Sequence, residues 1–286
     1  MRQRIITGSL FGLGLLAIIG LGWLWSGVFY LFYLALAVGI FLELRQAFAH
    51  KNFCLKQQTV CYTLVGILLI AITGNSGAIG ASIDIATQLG LIALFSLGVV
   101  VLLFMKPMLQ AGEVAGKFAV IQTLSWLYLS FPLFAGGLIL ALNQGKAWFI
   151  LALITPSCCD VAAYFSGMFL GQKLWVPKVS PKKTWAGFFG GLIGTIVLYY
   201  IFFLLWFTEY GTWYLSPISR CVVPLYVGAC ASLAAQFGDL LASAIKRYTG
   251  IKDFANIFPG HGGLLDRFDS YLLVLPVLFC WALLLK

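Results

Sequence analysis

Charged residues are scarce in this chain. Only 9% of its 286 residues are Asp, Glu, Lys or Arg, and 62% are hydrophobic. This composition excludes a soluble globular domain, because such domains carry about 25% charged residues. Histidine occurs twice and the seven cysteines form no CxxC pair, so there is little basis for a metal or disulfide framework. The sequence also lacks the motifs GxxxxGK[ST], GxGxxG after a strand and GxSxG. Their absence disfavours soluble ATPases, dinucleotide-binding enzymes and hydrolases.

Long apolar runs occupy most of the sequence instead. A helix of about 17–25 apolar residues can cross a bilayer. The first run follows Arg2 and Arg4, but no small-residue cleavage site precedes a polar region, so we expect a span rather than a signal peptide. We predict an all-α, polytopic transmembrane helical bundle with about nine spans, at 5–24, 27–43, 59–74, 87–105, 118–141, 147–170, 185–208, 221–246 and 268–285.

Basic residues are distributed unevenly between the loops of this topology. With the N-terminus in the cytoplasm, fifteen of the 18 Lys and Arg residues lie inside and only Lys146, Arg220 and Lys286 lie outside. Such a bias is what orients membrane proteins. We therefore expect an integral, multi-pass protein of the bacterial inner membrane with a cytoplasmic N-terminus. The net charge of +9 is attributed to topology, so no nucleic-acid partner is expected.

The two halves of the chain differ in their charged groups. Residues 1–150 hold five spans with few charges, and we predict that they form an N-terminal transmembrane scaffold. Residues 151–286 contain an acid within a span, the basic loop VPKVSPKKT and a charged run from Ser243 to Asp269, and we predict a C-terminal catalytic region. Because the topology places both loops on the cytoplasmic face, a site built from them would meet cytosolic solutes and inner-leaflet headgroups.

Asp160 is the acid within the sixth span. An ionised carboxylate there costs about 2.5–3.5 kcal/mol on insertion scales, so it needs a partner or a water-filled cavity. On a helix it shares one face with Tyr164, Gly167 and Gly171. The alternative is a buried acid that bonds to a neighbouring span for packing only.

The stretch SPKKTWAGFFGG indicates an anion site where the seventh span begins. Thr184 can cap the helix, and Lys182 and Lys183 stand at the positive end of its dipole. Paired lysines beside a span are commonly topology signals or headgroup contacts. The preceding Ser180 and Pro181 shape the turn and favour the anion site.

One face at the end of the eighth span combines three kinds of polar group. Asp239, Ser243 and Lys246 follow the spacing i, i+4, i+7, so a carboxylate, a hydroxyl and an ammonium line up on a helix. Such groups, together with the following Arg247, suit phosphoryl or nucleotidyl transfer, in which catalysis is mostly positioning and charge neutralisation.

Two further acids, Asp266 and Asp269, lie three positions apart at the start of the last span. Asp269 could instead cap that helix. Carboxylates from separate helices, without a cluster of Cys or His, suit Mg²⁺ that is bound together with substrate phosphates. His261, just before them, could act as an acid or base, bond a phosphate or anchor the loop.

The charged run resembles a motif of the phosphatidate cytidylyltransferases, also called CDP-diacylglycerol synthases. The pattern SxxKRxxxxKDxxxxxPGHGGxxDRxD is matched from Ser243 to Asp269, and the SPKKT segment, Asp160 and the pair Gly238 and Asp239 match upstream. The resemblance covers about residues 155–275. It implies condensation of CTP with phosphatidic acid to give CDP-diacylglycerol and pyrophosphate, in a lipid bilayer and by a homodimer.

The resemblance also implies roles for individual residues. In the family, metal ligation falls on the acids that match Asp239 and Asp266, and Asp269 is a further candidate ligand. The expected ion is Mg²⁺, and a second cation such as K⁺ is left open. The candidate catalytic residues are Asp239, Asp266, Lys246, Arg247, Ser243, Asp160 and His261. The candidate nucleotide-binding residues are Ser180, Lys182, Lys183, Thr184, Arg267 and Lys252.

Two positions depart from the family pattern. The family usually has the motifs SPKKTxEG and GDLxES. In this chain Ala186 and Ala242 replace the glutamates of these motifs. Either the two glutamates serve a shared accessory function, such as a cation site or an ion pair, or this chain has diverged in activity. The alternatives to the cytidylyltransferase are a CTP-dependent lipid kinase of related scaffold and a catalytically decayed lipid-binding or transport protein.

Overall fold

The computed structural model describes residues 2–74, 84–109, 113–142, 144–206, 216–258 and 262–285. In these ranges each of the nine predicted spans overlaps one helix, and the predicted all-α bundle is confirmed. Between the sixth and seventh of these helices the described chain also forms a short antiparallel hairpin. The elements in chain order are α1 (Arg2–Leu24), α2 (Gly27–Ala49), α3 (Gln58–Gly74), α4 (Ile85–Met108), α5 (Glu113–Leu140), α6 (Gly145–Leu170), β1 (Leu174–Val176), β2 (Ser180–Thr184), α7 (Trp185–Trp206), α8 (Pro217–Thr249) and α9 (Leu265–Leu284).

Most of these helices suit a membrane. Among the described residues, seven helices are long and apolar enough to cross a bilayer by length and composition, namely α2 and α4 to α9. The apolar parts of α1 and α3, Gly8–Leu24 and Gln58–Thr73, are shorter. Large apolar side chains point outward, Leu94 being 70% and Leu205 77% exposed. Hydrocarbon rather than water is the solvent that such surfaces fit, so the chain is a multi-pass membrane protein.

The chain divides into two compact units, which are described separately. The first comprises Met1–Ala141 and Thr249–Arg267, and the second comprises Leu142–Tyr248 and Phe268–Lys286. Whether residues 1–150 act as a scaffold and residues 151–286 as a catalytic region stays a prediction.

In the first unit, α2 packs with α3 and α5. Phe29, Tyr33 and Ile40 of α2 are fully buried. The hydroxyls of Thr63 in α3 and Ser130 in α5 lie 2.6 Å apart in the interior. Apolar packing with a few satisfied polar contacts therefore holds this unit together.

In the second unit, α6 and α7 approach each other through small residues. A Cβ atom added at Gly191 would lie 3.0 Å from the sulfur of Cys159, and one at Gly187 would lie 2.9 Å from the carbonyl oxygen of Ala163. Glycine at these positions lets the two backbones come close, which is how helices associate in membranes without a hydrophobic driving force between them.

The basic loop of the sequence forms the hairpin that leads into α7. Strand β1 pairs with β2, with Leu174 opposite Thr184 and Val176 opposite Ser180. The Thr184 hydroxyl accepts a hydrogen bond from the backbone N–H of Gly187 at 3.1 Å, which confirms the predicted helix cap. The hairpin thus fixes where Lys182 and Lys183 stand relative to α7.

Candidate active site

A cavity of about 540 Å³ opens in the second unit. This volume falls within the range of about 300–1,000 Å³ that is typical of small-molecule sites. Four elements form its walls, namely α6, the hairpin, the start of α7 and α8. The lining residues that matter below are Asp160, Tyr164, Trp175, Lys182, Lys183, Thr184, Phe188, Gln236 and Asp239.

One charge contact in the cavity joins Lys183 to Asp239. The Lys183 ammonium nitrogen lies 2.6 Å from Oδ2 of Asp239, and the two side chains are 24% and 31% exposed. The same nitrogen lies 3.5 Å from the carbonyl oxygen of Gln236, to which it donates, and 5.9 Å from the centre of the Trp175 ring. Lys183 is therefore held between an acid, a carbonyl and an aromatic face.

Asp239 has a second partner on its own helix. The Ser243 hydroxyl donates to Oδ1 of Asp239 at 3.3 Å, which confirms that the two residues share one face of α8. Beyond them, Arg247 donates from Nε to the carbonyl oxygen of Val179, next to β2, at 3.4 Å. The end of α8 is thus linked both to the cavity and to the hairpin.

A third acid of the second unit, Asp269, is buried on α9 with 7% of its surface exposed. Its charge interacts with those of Asp239, Lys246 and Asp160. Its Oδ1 accepts the N–H of the next residue, Ser270, at 2.6 Å. Because α9 begins at Leu265, Asp269 lies inside the helix, and the capping alternative is wrong.

In the first unit, Asp266 closes a tight turn. Its Oδ2 accepts two backbone hydrogen bonds, from Phe254 and Gly263, each 2.9 Å long. Gly262 has φ of +79°, a left-handed conformation that favours glycine, and a Cβ atom there would lie 2.8 Å from Oδ2. Gly262 and Gly263 therefore let the backbone lie close to the carboxylate of Asp266.

Sequence reasoning missed Glu43, which lies on α2 in the same unit. The side chain is 2% exposed, and its two oxygens accept the backbone N–H groups of Leu264 at 2.6 Å and Leu265 at 2.7 Å. A signal was present, since an acid inside an apolar segment needs a partner or a cavity. The predicted second span ends at residue 43, whereas α2 continues to Ala49, so the acid lies inside the helix.

The structure groups the predicted residues in two sets. The second unit brings Asp160, Lys182, Lys183, Thr184 and Asp239 around the cavity, with Ser243 bonded to Asp239. Ser180 lies in β2, and Lys246 and Arg247 lie in the last turn of α8. The first unit holds Asp266 with Lys252 and Arg267, both of which are exposed. His261 lies outside the described residues.

Among the described residues, the side chains alone do not form a metal cage. In the part of the chain that the structure describes, no three residues among His, Cys, Asp and Glu are grouped as for a metal ion.

Comparison with known proteins supports the motif reading. Three relatives, each named phosphatidate cytidylyltransferase, are the proteins of Bacillus subtilis (39% identical over 142 residues, 48% of either chain), Staphylococcus epidermidis (38% over 137 residues, 48% of this chain and 49% of the relative) and Staphylococcus aureus (39% over 139 residues, 48% and 49%). The chain thus spans about half the length of the curated relatives it matches.

The family comparison extends further along the chain. The model of the cytidylyltransferase family matches residues 2–285. It therefore includes α1 to α5 as well as the motif-bearing region, so the likeness to the family is wider than the resemblance over about residues 155–275 that the motifs indicate. With this match the chain belongs to the cytidylyltransferase family.

Proposed function

We propose that the chain transfers the cytidylyl group of CTP to phosphatidic acid, which yields CDP-diacylglycerol and pyrophosphate for phospholipid synthesis. The observation that carries the proposal is the cavity of the second unit, in which lysines, acids and aromatic rings meet. Relatives that bear the name phosphatidate cytidylyltransferase support the choice of substrates.

The cavity suits a nucleoside triphosphate. Lys182 and Lys183 supply positive charge, and the capped start of α7 adds the partial positive charge of a helix N-terminus. Trp175 and Phe188, whose ring centres are 4.7 Å apart, give an apolar wall against which a pyrimidine can pack. Exposed apolar residues such as Phe169 on α6 and Phe189 on α7 offer surface that suits acyl chains.

The proposed reaction is a single displacement at phosphorus. A phosphate oxygen of phosphatidic acid attacks the α-phosphorus of CTP and forms a new P–O bond, while the bond from the α-phosphorus to the bridging oxygen breaks and pyrophosphate leaves with that electron pair. Lys182, Lys183, Lys246 and Arg247 balance the charge of the triphosphate and of the leaving group. No covalent enzyme intermediate is needed.

Mg²⁺ is the proposed cofactor. The donors fit it, because Asp239 and Asp266 are hard oxygen ligands whose carboxylates are themselves hydrogen-bonded. Each of these acids is a candidate ligand, Asp269 is a further one, and a second cation such as K⁺ stays open. A bound Mg²⁺ would neutralise phosphate charge.

Orientation and assembly belong to the same proposal. Fifteen of 18 basic residues on one side favour a cytoplasmic N-terminus and cytoplasmic hairpin in the bacterial inner membrane. A cysteine placed at Lys178, between β1 and β2, should not react with impermeant reagents added outside intact cells. Efficient labelling would show that the hairpin lies outside and would contradict the proposed topology. A homodimer is expected from the resemblance, and light scattering of the detergent-solubilised protein tests it.

The decisive experiment gives purified protein two forms of labelled CTP with phosphatidic acid and Mg²⁺. Label at the α-phosphate should enter the extracted lipid, and label at the γ-phosphate should not. The control is Asp239→Asn, which keeps the shape of the side chain but removes its charge and should abolish transfer while the protein still purifies normally. Transfer of γ-label to a lipid alcohol would instead identify a lipid kinase, and no transfer from either position would indicate a lipid-binding protein.

A further inference from the structure

Glu43 is a buried acid for which the proposed reaction has no use. It lies on α2 with 2% of its surface exposed, far in sequence from the motif residues. A carboxylate in such a place is costly unless hydrogen bonds satisfy it. Here both oxygens are satisfied by backbone groups from the turn that precedes Asp266, the N–H groups of Leu264 and Leu265.

The two hydrogen bonds act on the start of α9. The first N–H groups of a helix have no partner within the helix, and Glu43 supplies acceptors for two such groups from a different helix. The bonds of 2.6 and 2.7 Å to the Glu43 carboxyl group are short for N–H···O hydrogen bonds. The position of residues 264 and 265 is therefore set by α2 as well as by their own turn.

Asp266 is attached directly to this restrained segment. Its carboxylate is oriented from the other side by the N–H groups of Phe254 and Gly263. Gly263 also touches Glu43, since a Cβ atom at that position would lie 2.5 Å from Oε1. Residues 263–265 of one turn thus contact Glu43 and lead directly to Asp266.

We propose that Glu43 is a positioning residue for the metal-binding function of Asp266. The inference rests on the proposed function, in which Asp266 is a ligand of Mg²⁺. Hydrogen-bonding partners behind a ligand typically change metal affinity by about 10–100-fold when they are altered. Glu43 acts through the turn rather than on the metal, so it is no catalytic residue.

The test measures metal binding without turnover. Mn²⁺ serves as a paramagnetic probe, and its binding to the full chain in detergent with CTP is followed by electron paramagnetic resonance. Glu43→Gln keeps the size of the side chain but places an amide N–H₂ against one of the backbone donors. We expect this variant to weaken Mn²⁺ binding by about tenfold, and the Mg²⁺ concentration for half-maximal transfer to rise in parallel, with the KM for phosphatidic acid unchanged.

Two further variants keep the inference falsifiable. Gly263→Ala pushes a methyl group onto the Glu43 carboxylate and should weaken Mn²⁺ binding in the same way. Thr63→Val is the matched control, because it removes a buried hydrogen bond in the same unit without touching the turn. It should lower thermal stability and leave Mn²⁺ binding unchanged.

Several results would overturn the inference. They are unchanged Mn²⁺ affinity in Glu43→Gln, an equal loss in Thr63→Val, no loss in Asp266→Asn, or failure of both turn variants to fold while Thr63→Val folds. The last result would make Glu43 a stability residue only. If the parent protein transfers no α-label, the proposed function fails separately, since Mn²⁺ binding is measured without turnover.

Discussion

Removing Lys183 should destabilise the protein more than removing Asp239, although the two form one ion pair. Lys183 keeps the Gln236 carbonyl and the Trp175 ring when Asp239 is neutralised. If Lys183 is lost instead, Asp239 loses the ammonium at 2.6 Å, keeps the neutral Ser243 hydroxyl and faces the charge of Asp269. Two acids without a neutralising cation repel each other, whereas a lysine that keeps other partners faces no such repulsion.

The size of the effect follows from the geometry of the pair. Two unit charges 2.6 Å apart attract by about 1.6 kcal/mol at the dielectric constant of water and by about 6 kcal/mol at a dielectric constant of 20. Desolvation and screening offset much of this, because the side chains are 24% and 31% exposed. We expect Lys183→Met to cost about 2 kcal/mol, as for a hydrogen bond between charged groups, and Asp239→Asn to cost less than about 1 kcal/mol.

The assay is thermal unfolding of the purified variants in detergent. A cost of about 2 kcal/mol should lower the midpoint by roughly 4–8 °C. The double variant Lys183→Met with Asp239→Asn should be more stable than Lys183→Met alone, because the acid left without its partner is then neutral. Lys182→Met, which removes an exposed charge one residue away, is the control and should shift the midpoint little. A midpoint for Lys183→Met equal to or above that of Asp239→Asn would refute the reasoning.

Two further changes test how the second unit is built. Thr184→Ala removes the acceptor for the Gly187 N–H and should cost about 1 kcal/mol of unfolding free energy, measured by thermal unfolding, whereas Thr184→Ser should retain it. Gly238→Ala places a methyl group 2.7 Å from the carbonyl oxygen of Asp269 and should cost about 1–3 kcal/mol. Its control, Gly90→Ala, meets nothing within 4 Å and should be neutral or slightly stabilising, so equal losses would argue against close packing at Gly238.

The helices could be predicted from the sequence because apolar runs of bilayer length leave few alternatives. Thr184 as a cap and the shared face of Asp239 and Ser243 followed from spacing alone, since both are local features of one helix start or one helix. The contact of Lys183 with Asp239 could not be predicted from the spacing of residues in the sequence. It depends on how β2 and α8 pack together, which no local rule specifies.

Two other features show why the remainder could not be predicted. The hairpin contains Pro181 and lysines in β2 and lacks apolar alternation, so nothing in its pattern indicates a strand. Glu43 bonds to a backbone N–H 221 residues away in the sequence. Backbone donors carry no residue-type signal, so the partner of such an acid is known only once the fold is known.

The two alanines at family glutamate positions are not equivalent in physical terms. Ala186 is half-buried in the first turn of α7, where a carboxylate is favoured by the helix dipole by about 0.3–1 kcal/mol. Ala242 is fully buried, one turn from Asp239 on α8. A glutamate there would bury a second negative charge close to the first, at a cost of several kcal/mol unless a cation accompanies it.

We therefore expect Ala186→Glu to leave the unfolding midpoint unchanged or raise it, and Ala242→Glu to lower it. If the two positions share an accessory cation site, the double variant regains stability and kcat/KM for CTP, and both become dependent on K⁺ or a divalent ion. Strict additivity across ion concentrations would mean that the positions act independently, since coupled neighbours do not add. In that case burial alone accounts for the alanine at position 242, because a closed space in α8 that holds no cation accepts a methyl group better than a carboxylate.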